Sequence, residues 1–146
     1  MMKKLSTVIY SEPTNSSFGV YLAAPFQRKD EIAEVARELR GLKYSVVSTW
    51  HDRDEPADYT FLEARRWARE ELFEIEQAYL LVVFTGGIGP MTGGKDVELG
   101  YAMGKNIRTC RVGPRVNIFH SLDHYMMFTS PQEFVQAMNP KSWGVK

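Results

Sequence analysis

Glu98 is the residue of this chain best placed to do chemistry. It follows a loop rich in glycine (Gly86, Gly87, Gly89, Gly93 and Gly94), which itself follows an unbroken apolar, β-branched and aromatic run over residues 79–85. Such a run is the pattern of a parallel strand covered on both faces. Glycines beyond it let the backbone turn sharply and lie close against a ligand. The spacing predicts a helix from Lys95 or Asp96 to Gly104, with Glu98 in its first turn, where unpaired N–H groups and the helix dipole favour the ionised carboxylate. A carboxylate at the mouth of a buried strand is equipped to attack an electron-poor carbon. Helix N-termini also carry glutamates that only offset the dipole, so position alone does not make Glu98 a nucleophile.

A second acid lies where a helix should be apolar. Thr60-Phe61-Leu62-Glu63 has the form of a capping box that opens a helix running to Gln77. At about 100° per residue, Glu71 falls within about 20° of Ala64, inside the stripe that Ala68, Leu72 and Ile75 continue. A buried acid is costly unless hydrogen-bonded or protonated. Two readings account for it. Either Glu71 pairs with an arginine of its own helix (Arg65, Arg66 or Arg69) or reaches water at the stripe edge, or it stands beside Glu98, one carboxyl ionised for attack and the other protonated to assist a leaving group.

The elements that must position these acids alternate along the chain. Strands are predicted over residues 20–24, 44–49, 79–85, 107–112 and 125–128. A helix containing Ile32, Val35, Ala36 and Leu39 is predicted between Asp30 as N-cap and Gly41 as stop, and a closing helix at 131–138 behind Ser130. Strands joined through helices imply right-handed crossovers, hence an α/β fold: a three-layer sandwich on a parallel sheet of about five strands. Ligands in such sheets bind at the carboxyl ends of the strands. The loops at 24–29, 50–59, 85–94 and 113–120 therefore share one rim.

Composition bounds the class. The 146 residues are 44% hydrophobic and 25% charged, which predicts one soluble domain over 19–146 behind a leader, 1–18, with a frayed strand at 7–10. Eighteen basic and eighteen acidic residues cancel, so neither a nucleic acid polymer nor an anionic membrane is an expected partner. A lone cysteine, Cys110, fits packing in a reducing compartment. The N-terminal apolar stretch is too short for a signal peptide or a membrane span, and the expected location is cytoplasmic.

With these residues in view, the chain resembles the nucleoside 2-deoxyribosyltransferase family, including related deoxynucleoside 5'-monophosphate N-glycosidases. The resemblance rests on Tyr21-Leu22-Ala23-Ala24-Pro25-Phe26, an acid before Leu72, the apolar strand, and the run from Gly93 through Val97-Glu98-Leu99-Gly100-Tyr101-Ala102 to Lys105. It implies a flavodoxin-like fold and cleavage or transfer of an N-glycosidic bond in a 2'-deoxynucleoside or its 5'-monophosphate, without a metal or other cofactor. By resemblance, Glu98 is the nucleophile that carries a covalent glycosyl group, Tyr21 its hydroxyl partner, and Glu71 the acid that handles the base. The substrate-binding set is Ala24, Phe26, Gly86, Thr92, Gly93, Gly94 and Asn117, with Thr92 holding a phosphate and Asn117 reaching a neighbouring subunit of a homo-oligomer. Three positions depart from the family pattern: Glu71 replaces an aspartate, and Tyr79 and Thr92 replace acids.

Other motifs compete less well. Gly89 to Lys95 satisfies most of a phosphate-binding P-loop, but Asp96 stands where a Ser or Thr must hold magnesium. The glycines miss the dinucleotide pattern at Thr92. His120 and His124, with Asp123, have helical metal-ligand spacing that packing residues share. Trp67, Phe73 and Trp143 read as packing or interface residues. The replaced acids keep a second function class open, a non-catalytic module of the same fold that senses a nucleotide.

Overall fold

The computed structural model describes residues 19–54, 58–87, 93–122 and 124–144. The strand expected at 7–10, and Thr92, lie outside them. Five parallel strands form one sheet: β1 (Gly19–Ala23), β2 (Ser45–Val46), β3 (Leu80–Phe84), β4 (Arg108–Val112) and β5 (Met126–Phe128). Their spatial order is β2-β1-β3-β4-β5, with Leu22 opposite Val82 and Val82 opposite Cys110. This is the flavodoxin-like order, in which the chain reverses its direction of sheet growth between β1 and β3 and leaves a crevice at their carboxyl ends. The central strands β1 and β3 are buried throughout, as expected for strands covered on both faces.

Among the described residues, four helices make the crossovers and the closing segment: α1 (Lys29–Gly41), α2 (Phe61–Glu76), α3 (Gly94–Gly104) and α4 (Pro131–Met138). Helix α1 packs against α4, and α2 against α3. Ile32, Val35, Ala36 and Leu39 are the buried stripe of α1. Its ends differ from expectation. A 3-10 turn, Phe26–Arg28, feeds directly into the helix, so Asp30 is a first-turn acid and not the cap. Gly41 stays helical, and Lys43 takes the left-handed conformation beyond it (φ 76°).

Helix α2 opens on the expected capping box: the Glu63 N–H donates to Thr60 Oγ1 over 3.1 Å and the Thr60 N–H to Glu63 Oε2 over 3.0 Å. Thr60→Ala is expected to cost about 1 kcal/mol, measured as a lowered denaturation midpoint; an unshifted midpoint would mean that tertiary contacts alone hold this end. Only Ile75 of the helix is fully buried. Of the rest of the predicted stripe, Leu72 packs against the core at partial burial, while Ala64, Ala68 and Glu71 line a cleft, which is why an acid is tolerated there.

Strand β2 is much shorter than the expected 44–49, and its replacement matters for the cleft. Val47 N–H still donates to Val20 O over 2.9 Å. Beyond it, side chains take over the edge of β1. The Leu22 N–H donates to Ser48 Oγ (3.1 Å), and the Trp50 indole N–H donates to Leu22 O (2.7 Å). Ser48 Oγ is also bonded to His51 Nε2 over 2.9 Å, and both residues are buried. No backbone group of Leu22 is left unpaired, and Trp50 is fixed at the rim. No helix among the described residues is long and apolar enough to cross a membrane.

Candidate active site

Beyond the carboxyl end of β1 lies a cleft of about 310 Å³, into which α2 and α3 contribute one carboxyl group each, Glu71 and Glu98. Glu98 is only 8% exposed and forms part of the cleft wall. The hydroxyl of Tyr21, a fully buried residue of β1, donates to Glu98 Oε2 from the protein side. Tyr21 thus touches the carboxylate without lining the cleft itself. Burial above all, then the charges of Glu98 and Glu71, hold the Tyr21 phenol far above its ordinary range. The neutral phenol, the hydrogen-bond donor, is thereby favoured.

The carboxyl of Glu98 is raised well above the carboxylate range. Burial is the main cause; the Tyr21 hydrogen bond opposes it, and the neighbouring Glu71 carboxyl, by charge and by hydrogen bonding, adds to it. The expectation that Glu98 sits in the first helical turn, where the dipole favours the ionised carboxylate, is corrected in its position. Gly93 serves as N-cap in the left-handed conformation (φ 84°), the helix begins at Gly94, and Asp96 is the first-turn acid. Glu98 lies beyond the orphan N–H groups, so burial outweighs the dipole. Asp96 also experiences burial, but hydrogen bonds from Lys95 (3.0 Å) and His120 (3.0 Å) outweigh it and lower its pKa.

Glu71 has a different environment. Arg53, from the segment after β2, places Nη2 2.9 Å from Glu71 Oε2, with the two side chains 22% and 23% exposed. The partner therefore comes from outside α2, and not from the arginines of the helix itself. The Arg53 guanidinium also lies over the ring of Trp67, 4.7 Å from its centroid, and Tyr59 meets Trp67 edge-on at 5.3 Å. Across the cleft, Phe26 and Trp50 pack at 6.1 Å. Aromatic walls with two adjacent acids between them suit a flat, polar-edged ligand attached to a group that needs a nucleophile.

The structure gathers Glu98, Tyr21 and Glu71 at one place and lines the same cleft with Ala24, Phe26, Gly93 and Gly94. Two other expected binding residues, Gly86 and Asn117, do not line this cleft, the second being expected at a neighbouring subunit's site. Gly86 lines a separate cavity with Arg28, Thr85 and Gly113. Asn117 caps the 3-10 turn Ile118–Ser121 through bonds from the Phe119 and His120 N–H groups. Trp67, expected to be a packing or interface residue, is a cleft wall; Glu71 inside the α2 stripe is the sequence signal that this face meets a cavity. Lys95 also lines the cleft. His120 and His124 do not converge: His120 bonds Asp96 and the Val116 N–H, and His124 bonds Thr109. Among the described residues, no three His, Cys, Asp or Glu are grouped to hold a metal ion.

No family model matches the chain, and no curated protein does. Solved structures do share its fold. A 2-deoxyribosyltransferase from Bacillus psychrosaccharolyticus superposes with a TM-score of 0.67 at 18% identity, covering 80% of this chain and 90% of that one. The CMP N-glycosidase BcmB of Clostridium botulinum gives 0.54 at 17% identity, covering 81% and 95%. A conserved protein of Enterococcus faecalis V583 gives 0.58 at 15% identity, covering 85% and 98%. The likeness is one of fold.

Proposed function

We propose that this protein breaks the N-glycosidic bond of a 2'-deoxynucleoside or its 5'-monophosphate and passes the sugar, by way of a covalent glycosyl-Glu98 intermediate, to a second base or to water. The observation that carries this reading is the pair Glu98 and Glu71 at one cleft, the first held by a buried tyrosine and the second by an arginine. Cleaving a C1'–N bond generates positive charge on the sugar, which a carboxylate on the opposite face stabilises and then traps. The departing base needs a proton. Glu71 stands on the base side of such a sugar, among the aromatic residues Trp67 and Tyr59.

Both named neighbours in fold act on nucleoside or nucleotide glycosidic chemistry, which supports the same class here. In the monophosphate case Thr92 and the amides at Gly93 and Gly94 hold the phosphate, since hydroxyls and exposed N–H groups suit an anion. Exposed Val116, Ile118 and Phe119 around Asn117 support a homo-oligomer. The test is incubation with deoxynucleosides and their 5'-monophosphates, with and without an acceptor base, followed by chromatography. Free base appearing without acceptor marks hydrolysis, and a new nucleoside appearing with acceptor marks transfer. Tight binding with no base released in either arm would identify a sensor and overturn the catalytic reading.

A further inference from the structure

The reaction proposed above requires Glu98 as the carboxylate and Glu71 as the acid, yet the guanidinium between the cleft walls sits on Glu71 and not on Glu98. Glu71 is ion-paired to Arg53 at 2.9 Å. Among the described residues, the groups that act most on Glu98 supply no positive charge: Tyr21 from β1 donates a hydrogen bond, and Glu71 and Glu74 from α2 both add negative charge. Lys95, the cation of its own helix, is bonded to Asp96. Glu74 is itself occupied by the Thr49 N–H and hydroxyl (3.2 and 2.5 Å). Among the described residues, Arg53 is thus the cation placed to decide between the two carboxyls. Its guanidinium is not locked on Glu71 alone, because it rests on the Trp67 ring and lines the cleft, where a ligand meets it.

We propose that Arg53 is a positioning residue that sets where the shared proton sits: paired with Glu71 it leaves the proton on Glu98, and when the acceptor edge of a bound base draws the guanidinium away, the proton crosses to Glu71 and Glu98 becomes the nucleophile. This rests on the glycosidic reading of the site. The step conserves charge. Glu98 loses its hydroxyl proton, the Glu71 carboxylate gains it, and the pair keeps one negative charge throughout. In the following step the C1'–N bond breaks, its electron pair goes to the base nitrogen, which takes the proton from Glu71, and a C1'–O bond forms to Glu98. Glu98 is thereby kept neutral, and stable in its buried setting, until a base is in place. Trp67 gives the guanidinium a flat surface on which to slide between the acid and the base.

Two measurements test this. The first is the pH dependence of kcat/KM for wild type, R53Q and R53K. A site that works with one proton on the carboxyl pair gives a bell whose limbs belong to the pair. Removing the cation in R53Q is expected to move both limbs up by about one unit or more, while R53K, which keeps the charge, retains the wild-type limbs. A fall in kcat/KM with unmoved limbs in R53Q, or R53K behaving like R53Q, overturns the proposal in favour of a simple contact to the base.

The second measurement needs no turnover: carbon-13 NMR of labelled glutamate carboxyls, with Glu98 assigned by its absence in E98Q and Glu71 by its absence in E71Q. In the unliganded protein, over the pH range in which the pair holds one proton, the Glu98 signal is expected to move from the acid position in wild type toward the carboxylate position in R53Q, and a signal that stays at the acid position overturns the proposal. Adding a carbon-linked deoxynucleoside, whose base cannot leave by this route, is expected to shift the Glu98 signal to the carboxylate position and the Glu71 signal to the acid position. A Glu98 signal unmoved by the bound ligand refutes the proton crossing. Absence of base release by wild type on every nucleoside would remove the glycosidic reading, and the NMR titration would still decide the Arg53 coupling.

Discussion

Glu98→Gln is expected to lower base release by about 10³-fold or more, in a protein that is more stable than the wild type. Glutamine keeps the shape and can accept the Tyr21 hydroxyl, so the cleft stays as it is, but the amide cannot bond to the anomeric carbon and be released again. The stability gain follows from the same burial that makes the site. The folded protein holds the Glu98 proton to a higher pH than the unfolded chain does. Between the ordinary carboxyl range and that raised value, the folded state binds more protons, so wild-type stability falls as pH rises. Glutamine has no charge to develop there. The gap between variant and wild type should therefore be small near about pH 4, widen through that window and level off above the raised value. Thermal denaturation across the range reads it. Unchanged turnover in the variant ends the mechanism, and a variant less stable at every pH would make Glu98 a structural acid.

The same contest between burial and local backbone decides how much of this protein is legible in its sequence. Periodicity and turn chemistry report on burial and local backbone, and they account for the alternation of strands and helices, the caps at Thr60 and Ser130, and the parallel sheet that the structure shows. Glu71 is legible as an anomaly because a charge inside an apolar stripe demands an explanation. Its partner is not. Arg53 lies in a polar segment with no periodicity, and only the side-chain-supported edge of β1, where Ser48 and Trp50 replace a strand, brings that segment over the cleft. The proton state of Glu98 escapes the sequence for a related reason. Whether a carboxyl near a helix start follows the dipole or its burial depends on a shift of less than one turn, and Gly93 in the left-handed conformation sets the start early enough for burial to win. Gly86 and Gly93 look alike in a glycine-rich loop, yet they end at different cavities.

The second large effect concerns the leaving base. Glu71→Gln is expected to slow release of ordinary bases by about 10²- to 10⁴-fold, the range of general acid catalysis. The loss should depend on the base. A base acidic enough to depart as an anion needs no proton, so with such a substrate the first step should proceed at close to the wild-type rate. The second step runs the same path backwards, and Glu71, now a carboxylate, must take a proton from the incoming base or water. In E71Q that help is gone. An activated substrate should consequently give a rapid burst of free base, equal to the enzyme present, followed by slow turnover as glycosyl-Glu98 waits to be discharged. The burst would place Glu71 in both steps and make the covalent intermediate observable by intact-protein mass spectrometry. A uniform loss across bases of graded acidity, with no burst, would instead assign Glu71 to holding Arg53 and the aromatic wall in place. Because Arg53 faces Glu71 and not Glu98, the two carboxyl variants should fail differently: E98Q at the bond to the sugar with every substrate, E71Q at the proton transfers of both steps.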